Sequence, residues 1–376
     1  MSVYLDCNAT TPMEPAVQEL VLRFMSEEFG NSGSRTHEYG NRAKVAVQTA
    51  RDQVARVVGA DREEVIFTSG ATESNNLAIL GLAGFGENSG RRHIISTQIE
   101  HKAVLEPLDS LRKRGFEVTL IPPEPGGYVD PDRLQGALRP DTFLVSVMQV
   151  NNETGVTQPI ADICARLINH PAYLHIDAAQ GYGKSSEPLK SGRIDLISLT
   201  AHKIYGPKGV GALIARRRGY ERPPLTPLMF GGGQERGLRP GTLPVPLIVG
   251  LGLAAELANN EAAARRKKCT EYRASILDGL ASLEPVLIGD QQRVLPNAVS
   301  ISIPGLDSEA FMLATKGLIA VSNGSACTSQ SYQPSHVLKA MGLEIDRVKS
   351  AVRLSWCHLT PTVNWEEVVA AVSRVR

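Results

Sequence analysis

Hydrophobic residues recur along this chain with two different spacings. In residues 17–28 and 38–58 they recur at the spacing of an amphipathic helix, so a helix is predicted in each range. After residue 64, short apolar runs alternate with helical stretches, as in a mostly parallel sheet that helices cover on both faces. The apolar runs predicted to be buried strands are 65–67, 93–95, 118–120, 144–147, 173–176 and 195–198.

The pattern changes in the last third of the chain. Residues 257–284 combine a helical spacing with many charges, and residues 297–303 alternate like a half-exposed strand. A chain of 376 residues is also too long for one ordinary core. We therefore predict an α/β protein in which residues 15–255 form a large domain, whereas residues 1–14 and 256–376 form a smaller α+β domain.

Charge and composition limit the classes of partner. Forty basic and 39 acidic residues give a net charge of +1, which provides no overall field for holding nucleic acid or an anionic membrane. A small-molecule substrate is therefore expected, and direct nucleic-acid binding is not. The amino terminus reaches charged residues before a signal-peptide core could form, and the five cysteines include no Cys-x-x-Cys pair. We expect a cytoplasmic protein without a structural metal site.

Asp177 and Lys203 both follow predicted strands. Because the carboxyl ends of parallel strands meet at one edge of a sheet, these two side chains are expected to share a crevice. Pyridoxal phosphate (PLP) requires such a pair, since a lysine forms a Schiff base with its aldehyde and an acidic residue holds its ring nitrogen. Taken singly, each residue has an equally good structural explanation, as an aspartate that caps a helix and as a lysine on the surface.

Residues 68–73 form a glycine turn that leads from a predicted strand into a helix. The free N–H groups and the dipole of such a helix terminus bind phosphate, and Thr72 and Thr200 could add hydroxyl donors. The same segment is also typical of an ordinary helix N-cap, with Glu73 as its capping-box glutamate.

Three further residues bear on the chemistry of the site. Small and polar residues surround Cys327, so its thiol is expected to be accessible; it is a nucleophile if a nearby cation favours the thiolate, and otherwise a bystander. Arg353 lies in an apolar, strand-like stretch, where a guanidinium requires a partner. That partner is a substrate carboxylate or an internal Asp or Glu, and the sequence leaves both open. Cys164, in an apolar helical stretch, is expected to be buried and inert.

Seven segments of the chain fall in the same order as in one enzyme family. Together they resemble the cysteine desulfurases of the NifS and IscS kind, group I, which are class V aminotransferase-like enzymes of PLP fold-type I. The resemblance covers nearly the whole chain, from residue 4 to about residue 361. The segments are SGATESNN at 69–76, EHKAV at 100–104, VNNETG at 150–155, HIDAAQ at 175–180, AHKIYGPKGVGAL at 201–213, GGGQERGLRPGTLP at 231–244 and GSACTS at 324–329.

The resemblance implies a homodimeric PLP enzyme that converts L-cysteine to L-alanine. Lys203 would form the Schiff base and move the Cα proton, and sulfur would leave as a persulfide on Cys327 for an acceptor protein. His101 would stack on the cofactor ring and assist proton transfer. The other implied roles are ring contacts for Asp177, Gln180 and Asn152, phosphate binding for Ala71, Thr72, Thr200, His202 and, from the second subunit, Thr242, and substrate binding for Arg353, Asn152 and, less strongly, Asn31.

Some features depart from the usual pattern of this family. Cys7 stands where members usually carry Tyr or Asn, and the chain ends 23 residues after Arg353, without the longer tail with which housekeeping members engage the iron–sulfur scaffold. A specialised acceptor, such as one that serves DNA phosphorothioation, is therefore our hypothesis. Two alternatives stay open. One is another class V enzyme, an aminotransferase or selenocysteine lyase in which Cys327 is incidental, and the other is a non-catalytic sulfur-transfer platform.

Overall fold

The computed structural model describes residues 2–324 and 334–376, in which strands and helices alternate along most of the chain. The strands are β1 (Val3–Tyr4), β2 (Val65–Thr68), β3 (His93–Thr97), β4 (Glu117–Ile121), β5 (Thr142–Met148), β6 (Tyr173–Asp177), β7 (Leu196–Thr200), β8 (Gly211–Ala215), β9 (Val286–Leu287), β10 (Ala298–Ser302), β11 (Ile319–Ala320) and β12 (Ala351–Ser355). The α-helices are α1 (Pro15–Ser26), α2 (Glu38–Val57), α3 (Ala71–Gly81), α4 (Ala83–Asn88), α5 (Lys102–Lys113), α6 (Pro131–Gly136), α7 (Ile160–Arg166), α8 (Val245–Asn260), α9 (Ala262–Leu280), α10 (Ser308–Ala314), α11 (His336–Ala340), α12 (Ile345–Lys349) and α13 (Trp365–Ser373).

A seven-stranded sheet, in the order β2-β8-β7-β6-β5-β3-β4, forms the centre of the structure. Its neighbouring strands pair in parallel except at β8, which runs antiparallel to β2 and β7. Each apolar run that the sequence predicts as a buried strand is part of this sheet. The prediction of an α/β fold with a mostly parallel central sheet is therefore confirmed.

Helices cover both faces of this sheet because alternate strand residues point to opposite sides. In β2, Val65 and Phe67 pack in a core with residues of α1, α2, α7 and α8, whereas Ile66 packs in a second core with residues of α3 and α5. All five residues of β7 are buried, as expected for a strand covered on both faces. Among the described residues, no helix is both long and apolar enough to cross a membrane.

A second sheet of three antiparallel strands, in the order β12-β10-β9, has a core of its own. The prediction that residues 297–303 form a half-exposed strand is wrong, because β10 is the middle strand of this sheet and all five of its residues are buried. Leu5 of the amino terminus packs in this core together with Trp356 and with residues of α9 and α13. The division into domains of residues 15–255 and of 1–14 with 256–376 stays a prediction.

The cysteines within the described residues are Cys7, Cys164, Cys269 and Cys357, and all four are buried free thiols. The prediction that Cys164 is buried is confirmed, since it lies on α7 in the core of the large sheet. Cys327 lies outside the described residues, so its expected accessibility stays a prediction.

Candidate active site

A cavity of about 500 Å³ lies at the carboxyl-terminal edge of the large sheet, where open α/β sheets bind their ligands. Asp177 is the last residue of β6, and Lys203 ends the short 3-10 helix Ala201–Lys203 that follows β7. The two side chains therefore share one crevice, as their positions after strands predict. The residues that line the cavity include Asn8, Ser69, Gly70, Ala71, Thr72, Asn75, His101, Asn152, Asp177, Gln180, Thr200, His202, Lys203, Lys208 and Arg353.

Two donors orient the carboxylate of Asp177, which is 5% exposed. Asn75 on α3 donates from Nδ2 to Oδ2 over 2.8 Å, and the backbone N–H of Ala179 donates to Oδ1 over 2.9 Å. Each carboxylate oxygen thus accepts one hydrogen bond, which fixes the plane of the group at the cavity wall. A buried carboxylate held in this way can pair with a cationic ring nitrogen.

The amino terminus holds the amine of Lys203. Nζ donates to the backbone oxygens of Asn8 and Ala9, the latter over 2.7 Å. Gln180 donates from Nε2 to the same oxygen of Asn8 over 2.8 Å. Because Asn8 and Ala9 are close in sequence to β1, the lysine site is built jointly by the end of β7 and the amino-terminal segment.

The turn between β2 and α3 forms a cradle for an anion. Gly70 is the N-cap of α3, and the first turn of this 11-residue helix presents backbone N–H groups that lack partners within the helix. Oγ1 of Thr200 lies beside the turn, 3.6 Å from where a Cβ on Gly70 would stand. Gly211 is needed here, because a Cβ on it would lie only 2.6 Å from Cα of Gly70. Because Gly211 has no side chain, the turn at Gly70 can lie directly against β8.

His101 and His202 are both held as neutral imidazoles. His101 accepts a hydrogen bond at Nδ1 from the N–H of Ala103 over 3.1 Å, which places its proton on Nε2. Burial lowers the pKa of His101, with Asp177 opposing the shift and Lys203 adding to it. Burial and the neighbouring lysines lower the pKa of His202 to about 4. At neutral pH each imidazole can therefore donate one hydrogen bond and accept another at the cavity wall.

Arg353 on β12 reaches the cavity from the small sheet. Nη2 donates to Oδ1 of Asp6 over 2.5 Å and to Oγ of Ser322 over 2.9 Å, and Nη1 donates to the backbone oxygen of Asn152 over 2.8 Å. The internal acidic partner that the sequence left open is therefore present. Nε of Arg353 is buried and has no hydrogen-bond partner among the described residues. Three of the five N–H groups of the guanidinium are thus engaged.

Two of the sequence candidates lie away from this cavity. Asn31 and Thr242 line a different cavity of about 220 Å³, beside α2, and neither borders the cavity around Lys203. A contribution of Thr242 to the site of a second subunit stays a prediction. Asn31 is not brought to the site of its own chain, and Cys327 lies outside the described residues.

Comparison with known proteins identifies the family. The family model described as "Aminotransferase class-V" matches residues 3–368. The cysteine desulfurase IscS of Methylococcus capsulatus is 46% identical over 377 residues, which cover 100% of this chain and 92% of that protein. The chain belongs to the class V aminotransferases.

Two solved structures are similar to this class V aminotransferase over most of its length. The crystal structure of DndA from Streptomyces lividans is 51% identical, with a TM-score of 0.82 over 93% of this chain and 98% of that chain. The structure of SspA in complex with cysteine is 36% identical, with a TM-score of 0.83 over 96% of this chain and 100% of that chain. The match to the class V family and the IscS relative confirm the predictions of a cysteine desulfurase and of its PLP cofactor.

The cavity of this class V aminotransferase fits pyridoxal phosphate. Its volume is that of a typical small-molecule site, and Asp177, Lys203 and the α3 cradle border one space. Two buried polar atoms on its walls, Oε1 of Gln180 and Oδ1 of Asn75, have no hydrogen-bond partner among the described residues. Buried polar atoms without partners are costly, and a polar ligand would satisfy them.

Sequence reasoning missed three residues that position the site. Asn75 orients Asp177, and the available signal was its place one helical turn after the predicted phosphate-binding residues of SGATESNN. Asn8 acts through its backbone oxygen, for which no side-chain pattern exists. Glu100 precedes His101 in the EHKAV segment and is fully buried, which the charged and polar residues around it in the sequence do not suggest.

Glu100 makes the stability of the fold depend on pH. One oxygen of its carboxyl accepts hydrogen bonds from Oγ1 of Thr97 over 2.7 Å and from the N–H of Met148 over 2.9 Å, and the other has no partner among the described residues. Burial raises the pKa of Glu100 to about 8. Because the folded chain then holds a proton that the unfolded chain releases above pH 4.5, stability falls as the pH rises from 4.5 to about 8.

We expect the substitution Glu100→Gln to remove this dependence. The free energy of unfolding of the wild type, relative to the variant, should fall by up to about 1.4 kcal/mol per pH unit across that range. Urea unfolding at a series of pH values measures the difference. Glu106→Gln, at an exposed position on the nearby helix α5, is the matched control and should leave the profile unchanged. Parallel profiles for the wild type and Glu100→Gln would contradict the assignment.

Proposed function

We propose that this class V aminotransferase takes sulfur from L-cysteine, releases L-alanine and carries the sulfur as a persulfide on Cys327. The observation that carries the proposal is that Lys203, Asp177 and Arg353 border one cavity. These side chains supply an amine, an acidic partner and a cation, which is the set that an amino acid and PLP require together. The related structure of SspA in complex with cysteine supports L-cysteine as the substrate.

Side chains from several elements would hold pyridoxal phosphate. Lys203 would bind it through Nζ, Asp177 would pair with its ring nitrogen, and the amino terminus of α3 would bind its phosphate. When bound, the cofactor supplies an electron sink for the charge that develops at Cα of the substrate. The other proposed contacts are those of His101, Gln180 and Asn152 with the ring, those of Ala71, Thr72, Thr200 and His202 with the phosphate, and that of Thr242 from a second subunit.

Lys203 and His101 are proposed to move protons within the cavity. Nζ of Lys203, once freed from the oxygens of Asn8 and Ala9, would take the proton from Cα of the substrate and return it at a later step. His101 carries its proton on Nε2 because Nδ1 accepts from the backbone. It can therefore donate a hydrogen bond to a developing negative charge without first being protonated from solvent.

Arg353 is proposed to bind the carboxylate of the substrate. Asp6, Ser322 and the backbone of Asn152 hold its guanidinium in place, so its orientation does not depend on the ligand. A side chain that is already ordered loses less conformational entropy on binding. These partners engage three of its five N–H groups, which leaves capacity for a charge-assisted hydrogen bond.

Cys327 is proposed as the residue that accepts the sulfur. Its thiolate would attack the sulfur of the substrate, so that an S–S bond forms as the Cβ–S bond breaks and the carbon skeleton leaves as alanine after protonation. The described residues that flank Cys327 in the sequence support this role. Ser335 donates to Oε2 of Glu153 over 2.5 Å, and a Cβ on Gly324 would lie 3.4 Å from Cβ of Glu153. Both contact Glu153, which directly follows Asn152 of the cavity wall.

The substitution Cys327→Ser tests the proposal. We expect the variant to keep the yellow colour of bound PLP and to release no sulfide from L-cysteine, because the cofactor site is intact and the sulfur acceptor is gone. Absorption spectroscopy and a sulfide assay measure the two properties. Cys164→Ser, in the core of the large sheet, is the control and should keep both. Sulfide release at the wild-type rate by Cys327→Ser would favour a class V enzyme in which this cysteine is incidental.

Three further proposals concern the oligomeric state of the enzyme, its location and the pathway that receives its sulfur. A homodimer is proposed because Thr242 is exposed and lies outside its own chain's site. A cytoplasmic location is proposed because the described cysteines are free thiols, which is typical of a reducing compartment. For the acceptor, the 51% identity to DndA, above the 46% identity to IscS, supports DNA phosphorothioation over iron–sulfur assembly as the pathway that receives the sulfur.

A further inference from the structure

Two buried cysteines form a hydrogen-bonded pair behind the cavity. The thiols of Cys7 and Cys357 share a hydrogen bond and pack in one cluster with Tyr205, and they are 2% and 3% exposed. The backbone brings them together, since Asp6 pairs with Ser355 and the N–H of Cys7 donates to the Ser355 oxygen over 3.0 Å. Cys7 and Cys357 are one residue out of register in this pairing. A strand spacing of about 4.8 Å and a rise of about 3.3 Å per residue then give a Cα separation of about 6 Å, which is within the range that a disulfide spans.

The two thiols differ in their tendency to ionise. The hydrogen bond from Cys7 lowers the pKa of Cys357 to about 6, and contacts with Thr360 and Lys184 act in the same direction against burial. The hydroxyl of Thr360 donates to Sγ of Cys357 over 3.5 Å. The same pairing and burial raise the pKa of Cys7. Cys357 is therefore the more readily ionised thiol of the pair, which suits it to attack and suits Cys7 to resolve.

A small cavity borders Tyr205, which belongs to the same buried cluster as the two cysteines. It measures about 40 Å³ and is lined by Lys184, Tyr205 and Cys269, all of which belong to the surroundings of the pair. A space of this size exceeds the roughly 10–15 Å³ that one water requires, so it can admit a hydroperoxide. A metal site is not indicated, because the described residues contain no group of three His, Cys, Asp or Glu suited to hold an ion.

We propose that Cys7 and Cys357 form a reversible disulfide when the enzyme meets hydrogen peroxide. The Cys357 thiolate attacks one peroxide oxygen, so that an S–O bond forms, the O–O bond breaks and hydroxide leaves. The sulfur is oxidised by two electrons and the peroxide is reduced by two. The Cys7 thiol then displaces the hydroxyl of this sulfenic acid, which forms the S–S bond and releases water. Two thiols and one peroxide therefore give one disulfide and two waters.

The disulfide would act on the cofactor site through the backbone. Asn8 directly follows Cys7, and its oxygen accepts hydrogen bonds from Lys203 and Gln180. A covalent bond at Cys7 therefore changes the position of a group that holds the lysine. Cys7 is also the residue that departs from the usual family pattern, so the device is specific to chains that carry both cysteines.

The test uses PLP-loaded Cys327→Ser enzyme, in which the other reactive thiol is absent. After brief peroxide treatment, alkylation and non-reducing digestion, mass spectrometry should show the loss of two hydrogen atoms and a single linked pair of peptides that contain Cys7 and Cys357. A phosphine reductant should reverse both changes. In the same samples, oxidation should slow the spectral change that L-cysteine causes, and reduction should restore it.

Matched variants in the same background show whether the link is specific. Cys357→Ser should abolish it, and Cys164→Ser, at a buried cysteine in another core, should preserve it. Equal alkylation of Cys7 and Cys357 with and without peroxide, or a link from either to another cysteine, would overturn the proposal. An unchanged response to L-cysteine despite the disulfide would overturn its effect on the site. None of these measurements requires desulfurase turnover, so the proposed function is tested separately.

Discussion

A Lys203→Ala variant is expected to lose both the covalently held cofactor and measurable desulfurase activity. The substitution removes the attachment point and the proposed base together from the cavity that Asp177 also lines. Loss of a general base alone lowers rates by about 10²–10⁴-fold, and loss of the attachment adds to this. Release of alanine and sulfide from L-cysteine measures the activity. Borohydride reduction followed by mass spectrometry should place the cofactor on residue 203 of the wild type and on no residue of the variant.

Lys208 provides the control for this experiment. It lines the same cavity, so Lys208→Ala removes a lysine charge near the phosphate cradle without removing the proposed attachment point. The control should keep the reduced adduct on Lys203. An adduct on Lys208 or on Lys184 in the wild type would show that the amine at position 203 is not the one that holds the cofactor.

The positions of Asp177 and Lys203 could be predicted because both follow runs of buried strand residues. β6 and β7 are mostly apolar and almost fully buried, and each is covered by helices on both faces. The parallel register then sets Asp177 opposite Ser198, close to the end of β7. Local patterns suffice here because the edge of a parallel sheet collects the carboxyl ends of its strands.

Pairing between distant segments could not be predicted in the same way. β8 is a short run between glycines, and its place depends on Gly211 pairing with both Thr68 and Thr200. No local spacing indicates an antiparallel strand inserted between two others. In β10, the serines alternate with apolar residues as on an exposed face, yet Ser302 is buried and accepts a hydrogen bond from Ser350 over 2.9 Å.

The amino-terminal segment shows a second limit of side-chain patterns. Its contribution to the site is made by the backbone oxygens of Asn8 and Ala9 and by the pairing of Asp6 with Arg353. Backbone groups carry no sequence signal. An aspartate two residues after the short strand β1 cannot be told from an ordinary surface acid by its sequence. The structure therefore adds a role for this segment that its residue types do not predict.

An Asp177→Asn variant is expected to fold normally and to lose most of its activity. The amide oxygen of the new side chain can still accept from the N–H of Ala179. Asn75 can turn its amide so that Oδ1, which has no partner among the described residues, accepts from the new NH₂ group. The hydrogen bonds of the wall are thus preserved, and only the negative charge opposite the ring nitrogen is removed.

The loss of that charge should lower kcat for alanine formation by about 10²–10³-fold or more, as for the removal of a group that stabilises developing charge in a buried site. Thermal unfolding should be nearly unchanged, which separates a charge effect from a folding defect. Asn75→Ala is the matched comparison, because it removes an orienting donor and keeps the carboxylate, and its loss of activity should be smaller. If Asp177→Asn turned over at the wild-type rate, the carboxylate would not act on the cofactor, and the common crevice of Asp177 and Lys203 would need another explanation.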